Sequence, residues 1–226
     1  MQTVIKPAST SNEKTTKWTR TFLVSGVITG PFFAVVSLIQ AFTRPGFDLT
    51  RHVLSLLENG NLGWLQISTF LLSGLLFVVC AIGMRQTLYG SYDRRWVPLL
   101  IGMVGAGMIG AGCFTADPGL GFPPGTPIST PAMSWHGFGH MIMSLLSFLA
   151  LIAASCIFAR RFFAQRKHGW ALYSLISGIL CFITLVGLST GHLWITSAFV
   201  FTMLNGYIWI SIMAAKLLAE RTRTSV

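Results

Sequence analysis

The 226-residue chain is 53% hydrophobic and only 10% charged, with a mean hydropathy of +0.67. Soluble domains carry about 25% charged residues, so an ordinary soluble fold is excluded. The 16 Lys and Arg against 6 Asp and Glu leave a charge of +10 and a pI near 10.1, which keeps nucleic-acid binding open until the charges are placed.

Residues 1–20 are polar, rich in Lys, Ser and Thr, and lack an apolar core ahead of a cleavage site. They read as a free, disordered cytoplasmic tail and not as a signal peptide. Six apolar runs follow, at 21–42, 61–85, 96–114, 134–158, 169–190 and 192–215. Each is near the ~20 residues that cross a ~30 Å hydrocarbon core. None alternates apolar and polar residues as a barrel strand would. The pattern predicts an all-α polytopic membrane protein: a six-helix transmembrane domain over 21–218 and a second cytoplasmic tail over 219–226.

In the first span, Gly26 and Gly30 have the four-residue spacing that lets helices approach closely, and Pro31 predicts a kink. Gly102, Ala106 and Gly110, with Gly105, Gly107 and Gly112, thin the third span and predict a central place for it. Gln40, Gln66 and Asn205 should face other helices, because an unpaired amide costs several kcal/mol in hydrocarbon. Trp64, Trp135 and Trp194 fall near one set of span ends, and Trp96 and Trp170 near the other, as an aromatic belt requires. Cys80, Cys113, Cys156 and Cys181 lie inside spans without CxxC spacing and read as small packing residues.

Fourteen of the 16 basic residues fall in the two tails and the second and fourth connections; only Arg44 and Arg51 lie on the opposite side. The positive-inside rule then puts both termini in the cytoplasm, and the plasma membrane is the expected location. Basic residues scattered as clusters at helix ends make no nucleic-acid surface. Membrane lipids are the expected partners.

With that topology, four of five histidines, His52, His136, His140 and His192, are extracytoplasmic, together with Asp48, Glu58 and Asp117. In the first outer connection, Asp48 or Thr50 can cap a short lateral helix that Gly60 ends, placing His52, Ser55 and Asn59 on one face. His136 and His140 sit one turn apart at the start of the fourth span. Gly137 stands where an HExxH metalloprotease has its glutamate. The candidate pocket is therefore His52, Ser55, Asn59, Asp117, His136, His140 and His192.

Three readings compete for it. One is a hydrogen-bonded lid in which Asp117 orients a histidine. In another, His136, His140, His192 and Asp117 hold a zinc-like divalent ion whose bound water hydrolyses an outer-leaflet lipid or a small ester or amide. The third is a pocket that binds a lipid headgroup or small solute. Haem is the weaker reading, since two histidines on one helix cannot occupy opposite faces of one haem.

Several pieces of the chain resemble the uncharacterised prokaryotic membrane family catalogued as domain of unknown function 998. They are Gly30-Pro31, Pro45-Gly46-Phe47-Asp48, His52-Val53-Leu54-Ser55-Leu56, Gly60 to Trp64, Phe114 to Pro118, Pro124-Gly125 and His136 to His140. The resemblance implies a six-helix membrane protein and brings no activity.

Overall fold

The computed structural model describes residues 9–88, 93–129 and 133–224. They form six long helices: α1 (Ser9–Thr43), α2 (Gly63–Thr87), α3 (Asp93–Cys113), α4 (Trp135–Ala164), α5 (His168–Gly187) and α6 (Leu193–Thr224). Each contains a segment long and apolar enough to cross a membrane. Their outward faces expose large apolar side chains such as Ile39, Leu75, Leu149, Ile183 and Phe201, a surface that lipid and not water can solvate. The chain is a multi-pass membrane protein.

The helix ends differ from the sequence reading. No Pro or Gly occurs between Pro7 and Gly26, and the chain is already helical at Ser9, the first described residue, well inside the expected 1–20 tail. At the other end α6 continues to Thr224, through most of the expected 219–226 tail. Residues 1–8 and 225–226 lie outside the described residues.

Each helix packs on its neighbours in sequence, and α1 closes the ring against α6, which also reaches α2. The glycine-rich α3 is therefore not central: it lies between α2 and α4. The most buried span is that of α6, 61% against 50% for α3. What the glycines of α3 do is bring backbones together on two sides. A Cβ at Gly105 would lie 2.5 Å from the Gly74 carbonyl oxygen of α2, and one at Gly107 2.6 Å from the Met143 carbonyl oxygen of α4. Without a hydrophobic drive between helices in lipid, such close contact is a main source of association.

The α1–α6 contact adds a hydrogen bond to the same device. Tyr207 of α6 presses its carbonyl against Gly30, where a Cβ would lie 2.5 Å away. Ser211 then places its hydroxyl between two backbone groups of α1, accepting from Gly30 N (2.9 Å) and donating to the Gly26 carbonyl (2.7 Å). Pro31 lies inside the continuous helix Ser9–Thr43. The amides pair between helices as their polarity demands. Gln40 donates to Gln66 Oε1 (2.8 Å) across α1–α2, and Asn205 donates to Ser177 (3.0 Å) across α5–α6, where Trp209 also donates to Ser174 (3.0 Å).

The first, third and fifth connections share one end of the bundle, called here the lid end; the other is the basic end. In the first connection the structure replaces the expected capped helix with a five-residue 3₁₀ segment, Leu54–Glu58. Leu54, Leu56, Leu57 and Glu58 are all buried, which a helix lying on a surface could not provide. Asp48 caps only a turn, accepting from the backbone N–H and hydroxyl of Thr50 (2.9 and 2.8 Å). Those two bonds hold its carboxyl below the usual range.

Candidate functional site

Arg44 and the ring of Phe122 sit together in the lid. Arg44, buried at the end of α1, donates to the carbonyls of Leu57 and Asn59 and so pins both ends of the 3₁₀ segment's last turn. Its guanidinium also lies 5.0 Å from the ring centre of Phe122, a fully buried side chain of the third connection. Phe47 meets that ring edge-on at 5.1 Å. Burial lowers the pKa of Arg44 from its ordinary value, yet guanidinium remains charged at any physiological pH.

His52 ties the same two connections. Its Nδ1 accepts from Asp48 N (2.9 Å), so the proton must be on Nε2, which lies 3.0 Å from the Leu120 carbonyl. Both nitrogens are committed, and the ring is 2% exposed. Asn59 works in parallel, donating to the carbonyls of Ala116 (3.0 Å) and Leu56 (3.2 Å).

Beneath the lid, Glu58 meets His140. Glu58 Oε2 accepts from Ala116 N (2.9 Å) and lies 3.3 Å from His140 Nδ1. That same Nδ1 lies 3.0 Å from the Ala111 carbonyl and 2.9 Å from the Phe114 carbonyl. Two carbonyl oxygens can only accept, so Nδ1 carries hydrogen. Nε2 is then the nitrogen left over, and among the described residues it has no hydrogen-bond partner. Nor is it a sealed orphan atom, as Glu58 Oε1 and His136 Nδ1 are.

His140, itself 8% exposed, forms part of the wall of a cavity of about 520 Å³. The other walls come mostly from α4, α5, α6 and the 3₁₀ segment, with Phe70 of α2. They are mainly apolar, and their polar groups include Ser55, Ser144 and Tyr207. Ser144 is four residues after His140, on the same face of α4. Met141, Leu145, Phe182 and Val186 line the cavity and are also exposed on the bundle's outside, so it opens sideways between α4 and α5.

Of the residues expected to form one pocket, then, Ser55 and His140 share the cavity. His52 and Asn59 serve the lid. Asp117 orients no histidine; it accepts from the backbone N–H of Ser134 (2.8 Å) and from its hydroxyl, while Ser134 caps α4 by accepting from Gly137 N (3.0 Å). A carboxylate at a helix N-terminus is favoured by the helix dipole. It also explains Gly137, since a Cβ there would collide with the Asp117 carboxylate. His136 lies against Trp135, ring centres 3.4 Å apart, and His192 is exposed ahead of α6. Among the described residues no three His, Cys, Asp or Glu side chains form a metal-holding group, so His136, His140, His192 and Asp117 are not gathered as a ligand set. The spacing of His136 and His140 cannot show that one ring turns inward to Glu58 while the other stays beside Trp135.

Glu58, Ser144 and Tyr207 are the site residues that sequence reasoning missed. A glutamate flanked by Leu56 and Leu57 is a readable signal, because such a residue is buried with a partner or not at all.

Burial raises the Glu58 carboxyl above its ordinary value of 4.5, against the opposing effects of His140 and the Ala116 N–H. A carboxyl with a raised folded pKa takes up protons on folding, so stability is present below pH 4.5 and falls as pH rises through the folded value. Glu58→Gln can keep an oxygen toward Ala116 and His140, with its amide at the unpartnered Oε1 position. Thermal unfolding in detergent should show a flatter decline from pH 4.5 upward for this variant than for wild type. Parallel curves would contradict the assignment.

No curated protein and no solved structure matches the chain. A family model does, over residues 27–216, from the first span to the last. On that match, the chain belongs to the family described as Protein of unknown function (DUF998).

Proposed function

We propose that the protein binds a single-chain amphiphile drawn from the membrane, its tail along α4, α5 and α6 and its oxygen-bearing head at His140, Ser55 and Ser144. The observation that carries this reading is that His140, whose Nε2 has no hydrogen-bond partner among the described residues, lines a mainly apolar cavity. A polar atom exposed to such a space is satisfied only by a ligand or water. The volume, about 520 Å³, falls within the roughly 300–1,000 Å³ of small-molecule sites. The sideways opening gives a membrane-dissolved molecule a direct route in.

The setting we propose is a prokaryotic plasma membrane, with both termini cytoplasmic and the lid end outside. The 14 basic residues on the side of the termini, against Arg44 and Arg51 on the other, support that orientation. In a background with the four native cysteines replaced by alanine, Ser129→Cys should react with a membrane-impermeant thiol reagent in intact cells. Gln165→Cys should react only after permeabilisation. The reverse pattern would invert the topology.

The binding reading is tested with palmitate and a monoacylglycerol as probes of the purified protein. Wild type should bind at least one of them, and His140→Phe should bind it about tenfold or more weakly, as expected for loss of a ~1.5–3 kcal/mol hydrogen bond to a polar head. Ser144→Leu, which fills the cavity, should do the same while the melting temperature stays near that of wild type. Binding of neither probe by wild type, or equal binding by both variants, would sink the proposal.

A further inference from the structure

A second recess, of about 730 Å³, lies at the basic end between α2 and α3. It is distant in the fold from the His140 cavity, and nothing argued for that cavity bears on it. Arg85 enters it from the last turn of α2, and Arg94 and Arg95 from the first turn of α3. Below the guanidinium groups the walls turn apolar, through Ala81 to Val78 on α2 and to Gly102 on α3. From Arg85 to Val78 the recess follows α2 for about 10 Å at 1.5 Å per residue. It is therefore a polar mouth at the membrane boundary continued by an apolar groove within the span.

Two features make the recess selective for an anion with a tail. The first is charge. Among the described residues no carboxylate lines it, and Asp93, the acidic residue next to Arg94, pairs with α4, 3.1 Å from Arg161 and 3.8 Å from Arg160. Three arginines thus line one space from two helices, and none of its described wall residues is acidic. The second is room. A Cβ at Gly102 would meet only the Ala81 Cβ, at 3.8 Å, whereas the neighbouring Gly105 is pressed against Gly74. The two helices touch at Gly105 and leave a groove at Gly102.

We propose that this recess binds one anionic glycerophospholipid, its phosphate held by Arg85, Arg94 and Arg95 and one acyl chain lying in the groove past Ala81 and Gly102. Planar guanidinium groups match phosphate oxygens in pairs, and basic pockets between transmembrane helices are where anionic headgroups bind. A free anion would use only the mouth of the recess and leave the groove unused.

The test is native mass spectrometry of the full-length protein in mild detergent, titrated with phosphatidylglycerol, with phosphatidylcholine of the same chains, and with inorganic phosphate. Wild type should retain one phosphatidylglycerol and bind phosphatidylcholine at least about tenfold more weakly, with phosphate failing to compete at millimolar concentration. Replacing Arg85, Arg94 and Arg95 by Gln should weaken retention by about fivefold for each cation removed, the factor that corresponds to ~1 kcal/mol per basic residue at an anionic surface. Gly102→Leu separates a built site from diffuse attraction, because it fills the groove and leaves every charge in place. Loss of the lipid in that variant supports the site; wild-type retention overturns it. Ile82→Trp, at an exposed position in the same wall, gives the same reading should the glycine variant fail to fold. Equal retention of the two lipids, or competition by phosphate, would also overturn it.

Discussion

Removing a carboxylate from water into an apolar interior costs several kcal/mol even after relaxation, and hydrogen bonds must offset that cost or the group must take up a proton. Glu58 faces this constraint at the lid end, on a segment whose neighbours Leu54, Leu56 and Leu57 are buried with it. Its two polar contacts, Ala116 N and the His140 ring, belong to the third connection and to α4. Pairing its Oε2 therefore fixes three separate pieces of chain against each other. Arg44 does the same from the other side, through the Leu57 and Asn59 carbonyls on either side of Glu58.

The arrangement divides the polar residues into two kinds. Those of the lid, His52, Asn59, Asp117 and Arg44, spend their hydrogen-bonding capacity on backbone groups of neighbouring loops or, for Asp117, on the start of α4. His140 spends only one edge of its ring. Because Glu58 and two carbonyls take Nδ1, the ring of this cavity-lining histidine is held in one tautomer, with Nε2 left without a partner among the described residues. Orienting an imidazole through its second nitrogen is how proteins usually prepare it for a ligand or a proton. At the basic end the three arginines of the second recess are exposed, where a charged headgroup can reach them.

The six spans were legible because lipid imposes one dominant rule, a long apolar run per crossing, and all six runs obey it. The interhelical roles of Gln40, Gln66 and Asn205 followed from the same rule, since hydrocarbon offers an amide no other partner. The third span misled because small residues announce close approach without saying to how many helices or at what depth; α3 uses its glycines on two flanks and still lies in the ring. The site was only partly legible. Chain spacing relates His136 to His140, but the contacts that decide their roles, Glu58 to His140 and Asp117 to Ser134, cross between connections. The lid's first connection misled in the same way, because burial from all sides by α1, α2 and the third connection overrode the local capping signals at Asp48 and Gly60.

The central claim is that Glu58 and the two carbonyls fix His140 with hydrogen on Nδ1 and leave Nε2 to the cavity. Nitrogen-15 NMR of histidine-labelled protein in detergent micelles tests it directly, with the His140 signals assigned by their disappearance in His140→Gln. The account predicts a protonated Nδ1 in the wild-type protein and a shift confined to the Nε2 resonance when palmitate or a monoacylglycerol is added. A signal showing hydrogen on Nε2 with a bare Nδ1, or an Nε2 resonance that neither amphiphile moves, would contradict it.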